Sequence, residues 1–295
     1  MKPILFSLFD GTELLERIIN QFDCEVGDFT LRSFPDEETY IKINSIVKDR
    51  EVILLASLDH PNIKILPLLF AAQTIKSLGA KKIGLIAPYL AYMRQDKQFN
   101  PGEGVTADYF AHIISQFFDW LVTIDPHLHR KKSLNELYKT PATVLHAGIP
   151  IADWIKTNIE NPLLIGPDKE STQWVAGIAQ KVNAPFIIIE KVRKGDRSVE
   201  ITVPSFNQSH DRTPVLIDDI ISTGKTMLET IMYLKNVKTK SPVCIGIHGI
   251  FAEKAYEELL AVGAVKVITC NTIKHVSNEI DISKLIINFL KKNSN

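Results

Sequence analysis

Short apolar runs, each followed by a polar loop and a helical stretch, constrain the fold of this chain more than any other feature. Val52-Ile53-Leu54-Leu55-Ala56 is one such run; the loop Ser57-Leu58-Asp59-His60-Pro61-Asn62 follows it, then a helical stretch from Ile63 to Leu78. After Gly79-Ala80-Lys81-Lys82 comes the strand-like run Ile83-Gly84-Leu85-Ile86-Ala87-Pro88-Tyr89. The later half repeats this order. Val215-Leu216-Ile217 leads through a loop to a helix over Met227 to Asn236, then to strands over Val243 to Gly249 and Gly263 to Thr269. Near-continuous apolar strands separated by helices belong to mainly parallel sheets covered on both faces. Writing that unit twice predicts an α/β protein of two tandem domains, 1–146 and 147–295, divided near His146 to Pro150. The 295 residues suit two domains on a prior of about 150 residues each. An amphipathic segment, Ile282 to Leu290, is expected to dock on the body as the end of the second domain.

Composition limits the partners. Formal net charge is +0, so nothing global attracts the chain to nucleic acid or to an anionic membrane, and phosphate binding must be local. No apolar run approaches the roughly 18 to 20 residues of a membrane span. The opening Met1-Lys2-Pro3-Ile4-Leu5-Phe6-Ser7-Leu8-Phe9 meets Asp10 without a small-residue cleavage site, and reads as the first strand. Cys24, Cys244 and Cys270 are odd in number and lack metal-ligand spacing, which predicts buried thiols in a reducing cytoplasm.

The chemistry concentrates in Asp218-Asp219-Ile220-Ile221-Ser222-Thr223-Gly224-Lys225-Thr226, where an apolar strand runs into paired acids and a hydroxyl-rich loop opening a helix. Ionised Asp is purely an acceptor, suited to vicinal sugar hydroxyls or to a bound Mg²⁺. The loop offers hydroxyls and free N–H groups at a helix N-terminus, where a phosphate is favoured. Together they describe a phosphorylated-sugar pocket.

This segment resembles the ribose 5-phosphate loop shared by phosphoribosyltransferases and ribose-phosphate pyrophosphokinases (PRPP synthetases), its Gly224-Lys225-Thr226 ending being nearer the purine phosphoribosyltransferase form. The corresponding first-half loop, Ser57 to Asn62, lacks paired acids and the Thr-Gly-x-Thr run, so one working phosphate loop per chain is expected. A second segment separates the two families. Pro88-Tyr89-Leu90-Ala91-Tyr92-Met93-Arg94-Gln95-Asp96-Lys97 resembles the synthetases' Pro-Tyr-x-x-Tyr-x-Arg-Gln-Asp-Lys run, which purine phosphoribosyltransferases lack. The chain looks closest to the archaeal-type branch.

Four further stretches follow the family's order. Ser33-Phe34-Pro35-Asp36-Glu37-Glu38 is similar to its adenine-binding Arg-Phe-Pro-Asp-Gly-Glu, with Ser33 for the Arg and Glu37 for the Gly. Asp125-Pro126-His127 closes a strand, with both polar residues expected on one face. Leu163-Leu164-Ile165-Gly166-Pro167-Asp168 ends in the family's metal-proximal carboxylate, but Lys169-Glu170 replaces its glycines and puts a negative charge near a polyphosphate. Phe186 to Arg197 is an apolar strand entering a basic loop, with Ser198 to Val203 as the returning strand.

The resemblance implies transfer of a diphosphoryl group from ATP to the C1 hydroxyl of ribose 5-phosphate, giving PRPP and AMP. It implies Phe34, Asp36, Glu38, Arg94 and Gln95 on ATP, and Asp218, Asp219, Ser222, Thr223, Gly224, Lys225 and Thr226 on the sugar phosphate. Mg²⁺ would sit at Asp125, His127 and Asp168, with His127, Lys191 and Arg193 catalytic. An ATP site shared between chains implies a homo-oligomer, from a dimer up to a hexamer. A phosphoribosyltransferase, a non-catalytic regulatory paralogue and a kinase moving one phosphoryl group stay open at this point.

Overall fold

The computed structural model describes residues 1–9, 12–128, 130–193, 199–202 and 211–293, with backbone alone at 12, 173, 190–193 and 199–202. The chain divides into two compact units, Met1–Leu145 with Ser283–Asn295, and His146–Ile282.

The first unit runs β1 (Ile4–Ser7), α1 (Thr12–Ile19), β2 (Glu25–Val26), β3 (Phe29–Ser33), β4 (Thr39–Ile43), β5 (Glu51–Leu55), α2 (Pro61–Ser77), β6 (Lys82–Ala87), α3 (Thr106–Phe117), β7 (Trp120–Ile124) and β8 (Ala142–Leu145). Six strands form a parallel sheet in the order β2-β1-β5-β6-β7-β8, while β3 and β4 pair as an antiparallel ribbon. The uninterrupted apolar runs have a direct cause. Ile4, Phe6, Val52, Leu54 and Leu85 enter one core cluster, while Leu5, Ile53, Leu55 and Ile86, at the alternate positions, are also buried. Each such side chain contributes about 1.5–3 kcal/mol by leaving water.

The second unit runs α4 (Gly148–Asn158), β9 (Pro162–Gly166), α5 (Thr172–Val182), β10 (Phe186–Ile188), β11 (Glu190–Arg193), β12 (Val199–Thr202), β13 (Thr213–Ile221), α6 (Lys225–Asn236), β14 (Val243–Gly249), α7 (Ala255–Val262), β15 (Lys266–Cys270) and β16 (Asn278–Ile280). Its parallel sheet has the order β10-β9-β13-β14-β15-β16, the same permutation as the first, and β11–β12 is again an antiparallel ribbon. The duplication therefore extends to the ribbons.

The terminal helix differs from expectation. α8 (Ser283–Asn293) lies with the first unit, not the second: it packs beside α1, and its Phe289 ring sits 5.8 Å from Trp120. Gly84 makes room for that indole, since a Cβ there would fall 2.0 Å from the ring. Cys24, Cys244 and Cys270 are free thiols, and burial pushes the Cys244 thiol up to about 12. No helix among the described residues is long and apolar enough to cross a membrane.

Candidate active site

The paired acids lie inside a strand. β13 continues to Ile221, so Asp218 stands opposite Gly246 of β14 rather than in a loop as the sequence suggested. Asp219 is buried, and its N–H donates to Asp218 Oδ1 at 3.0 Å. Asp168 lies two residues beyond the neighbouring strand β9 and is close enough to act on Asp218. Burial, then the charge of Asp219, then that of Asp168, hold the Asp218 carboxyl well above the usual carboxylate range.

Beyond Ile221 the loop is short. Gly224 takes a left-handed conformation (φ 67°) as the residue before α6, the reason glycine suits this position. The cap residue Gly224 makes no side-chain hydrogen bond to α6, and the helix's first turn holds no acid. Leading N–H groups at a helix start favour an anion. Ser222 and Thr226 are half-buried and Thr223 and Lys225 exposed around this opening.

Asp168, Asp218 and Asp219 are the second unit's candidate carboxylates for a cation. Among the described residues no group of three or more His, Cys, Asp or Glu side chains forms a ready cage. Mg²⁺ commonly keeps several waters and binds through one or two carboxylates plus substrate phosphates, so it requires none. Burial first, and then the neighbouring charges of Asp219 and Asp168, raise the proton affinity of Asp218, and the oxygen-only donors suit a hard cation. The residues fit. The metal set expected from sequence is divided between units, Asp125 and His127 in the first and Asp168 in the second.

Asp168 also caps a short 3-10 turn, its Oδ1 accepting from Ser171 N–H at 3.0 Å. Gly166 is needed for that turn, because a Cβ there would lie 2.2 Å from Ser171 Oγ. Glu170 occupies the turn as an exposed residue.

In the first unit the loop after β5 has the same outline but different chemistry. His60 adopts the left-handed conformation (φ 49°) before α2, and Pro61 follows it. Lys64 Nζ donates to Asp59 Oδ1 at 2.6 Å and to the Ser57 carbonyl at 2.9 Å. Counting back from the two left-handed residues, Leu54 and Leu55 stand where the second unit has Asp218 and Asp219.

The residues that the sequence resemblance implies for ATP take two positions. Phe34, Asp36 and Glu38 form the exposed tip of the β3–β4 ribbon, closed by Phe34 N–H to Glu38 O at 2.8 Å and Glu37 N–H to Phe34 O at 2.9 Å. Glu37 is left-handed there (φ 70°), which explains why the family form carries Gly. Arg32, which sequence reading passed over, lays its guanidinium 5.0 Å from the Phe34 ring centre and 4.2 Å from that of Tyr40. Its signal was the strand period: residues two apart share a face.

Arg94 and Gln95 lie in the loop after β6, Arg94 exposed and Gln95 half-buried. Asp96 is held by Arg130 at 2.7 Å. Strand β7 ends at Ile124, and Asp125 turns left-handed (φ 29°) beyond it. The strand-face argument joining Asp125 to His127 therefore fails, although both remain half-buried on one loop. Lys191 and Arg193 belong to β11, opposite Ile201 and Val199, rather than to a loop; their side chains lie outside the described residues.

Two sheets of one strand order, with paired acids and an acid-free helix start on the second, define a duplicated protein of the phosphoribosyltransferase class. Residues 3–117 match the N-terminal domain of ribose phosphate pyrophosphokinase, and residues 133–283 the phosphoribosyl transferase domain. The ribose-phosphate pyrophosphokinase of Saccharolobus solfataricus is 36% identical over 262 residues, 86% of this chain and 88% of that protein. That of Methanobrevibacter smithii is 32% identical, covering 95% and 97%. A crystal structure of phosphoribosylpyrophosphate synthetase from Mycobacterium smegmatis shares the fold, with a TM-score of 0.86 at 23% identity over 99% of this chain and 98% of that one. The chain belongs to the ribose-phosphate pyrophosphokinase family.

Proposed function

We propose that this protein makes PRPP and AMP from ATP and ribose 5-phosphate. The observation that carries the reading is Asp218 and Asp219 on the central strand β13, which runs on to Ile221 and from there through a short loop to the start of α6. Family membership over nearly the whole chain supports the same reaction.

The ribose C1 hydroxyl oxygen attacks the β-phosphorus of ATP; the bond from that phosphorus to the oxygen bridging it to the α-phosphorus breaks, AMP leaves with the oxygen, and the hydroxyl proton passes to water. Asp219 and Asp218 accept hydrogen bonds from the ribose hydroxyls. Ser222, Thr223, Gly224 and Thr226 surround the 5-phosphate with N–H and O–H donors, with Lys225 at the rim. Phe34 offers a flat face to adenine, stiffened from one side by Arg32, while Asp36 and Glu38 accept from the base. The exposed ribbon tip suits a site completed by a second copy of the chain, which makes the protein at least a dimer. Arg94 and Gln95 bind the polyphosphate, and Lys191 and Arg193 supply fixed positive charge to the reacting phosphorus. Mg²⁺, held by Asp168 and the Asp218–Asp219 pair, and by Asp125 and His127 on the ATP side, would neutralise charge on the polyphosphate. No residue has to act as a strong general base, because positioning and charge neutralisation dominate phosphoryl transfer. We place this reaction in the cytoplasm.

Phosphorus NMR of protein incubated with ATP, ribose 5-phosphate and Mg²⁺ tests the reading. PRPP and AMP in equal amounts are expected. ADP would instead mark transfer of one phosphoryl group, and an inert protein that alters a partner synthetase would mark a regulatory paralogue.

A further inference from the structure

The loop assigned above to the 5-phosphate is fastened from the side by the segment that follows β14. Ile250 and Phe251 N–H groups both donate to the Ile221 carbonyl at 3.0 Å, and Ala252 N–H donates to the Ser222 carbonyl at 3.1 Å. Three consecutive amides thus hold the two residues from which the loop departs. To aim them, the backbone turns left-handed at Phe251 (φ 45°) and again at Glu253 (φ 59°). A residue bearing a side chain resists that region by roughly 1–2 kcal/mol, so neighbouring structure must hold it there.

Three rings do so. Phe251 lies edge-on to Tyr256 of α7 with centroids 5.3 Å apart, and 4.5 Å from the His275 ring. Tyr256 and His275 are themselves 5.0 Å apart, closing the triangle. His275 is anchored by Ser277, whose Oγ sits 2.9 Å from Nδ1. Gly249 leaves the necessary space, since a Cβ there would lie 2.5 Å from the Phe251 ring. The loop after β14, helix α7 and the loop after β15 therefore converge on one side chain.

We propose that Phe251 is a positioning residue for ribose 5-phosphate. Its ring, gripped by Tyr256 and His275, keeps the left-handed backbone that braces Ile221 and Ser222, so the phosphate loop is set before the sugar arrives. A loop ordered in advance loses less freedom on binding. The inference rests on Ser222 to Thr226 being the 5-phosphate site, and its test keeps the two claims apart.

Steady-state kinetics and thermal unfolding of Phe251→Ala, Phe251→Gly and Phe251→Tyr, beside Ser222→Ala, decide it. Glycine accepts the left-handed region freely, so the Gly variant removes the ring without straining the backbone. The Ala and Gly variants should raise KM for ribose 5-phosphate about tenfold, the equivalent of losing one or two braces. They should leave kcat and KM for ATP within about twofold, and Tyr should restore the sugar KM. An unchanged sugar KM in the Gly variant overturns the proposal. So does a rise in both KM values together with a fallen melting temperature, the mark of a general packing role. If Ser222→Ala weakens sugar binding and the Phe251 variants do not, the brace is wrong and the loop assignment stands. If Ser222→Ala also has no effect on the sugar KM, both are wrong.

Discussion

Lys64 Nζ lies 2.6 Å from the Asp59 carboxylate, with both side chains largely covered (13% and 15% exposed). The first unit's loop thus closes on a cation of its own, whereas its counterpart leads through the left-handed Gly224 into a helix whose first turn holds no acid. One sheet design carries a loop sealed by a cation and one that turns on a glycine.

Removing the plug should cost stability but not sugar binding. Lys64→Ala leaves Asp59 charged and poorly solvated, a loss of about 2–3 kcal/mol, read from urea denaturation. Affinity for ribose 5-phosphate should match the parent protein. A large fall in that affinity would mean the first loop takes part in binding.

In the proposed reaction the Lys191 charge acts on the transition state, so Lys191→Ala should lower kcat by about a hundredfold or more, while ribose 5-phosphate affinity stays close to wild type. Calorimetric titration of the sugar, run beside turnover measurements, separates the two effects. Equal losses in binding and turnover would remove Lys191 from the reacting phosphorus.

Asp218 makes metal-free stability pH-dependent in a definite direction. Its folded carboxyl holds a proton at higher pH than in the unfolded chain, chiefly through burial and then Asp219 and Asp168. The contribution to stability is fully present below the ordinary carboxylate pKa and is lost as pH rises through the folded value. Wild type without metal should therefore lose more stability than Asp218→Asn between about pH 4 and pH 7, by chemical denaturation at each pH. Parallel profiles would contradict the charge arrangement. Added Mg²⁺ should narrow the gap at neutral pH.

Glu37 tests the ribbon tip. Since its backbone is left-handed, Glu37→Gly should change stability by less than about 1 kcal/mol, relief of strain offsetting the added freedom of glycine. Glu37→Val should lose about 1–2 kcal/mol. Melting temperatures of the two variants order them, and a Val variant as stable as Gly would refute the assigned turn.

The apolar runs made the two parallel sheets legible, because residues such as Leu54 and Leu55 are buried on opposite faces and need no polar alternation. The turn into α6 was legible too, since Gly224 and its flanking hydroxyls are local in sequence. Longer-range geometry was not. Nothing near Asp218 announces that β13 continues to Ile221, because that extension comes from pairing with β14 as far as Gly249. Asp125 looked like a strand residue until its left-handed turn removed it from the strand. Arg32 escaped because its meaning depends on Tyr40, across the β3–β4 ribbon. The brace at Ile250 to Ala252 has no signature near the loop it serves.

The return of α8 to the first unit makes residues 146–282 an excursion out of a body that is finished last. During synthesis Trp120 meets Phe289 of α8 only after residues 146–282 have been made. Loss of α8 would consequently injure the earlier-made half, far from the missing residues in sequence, and leave the later-made half whole.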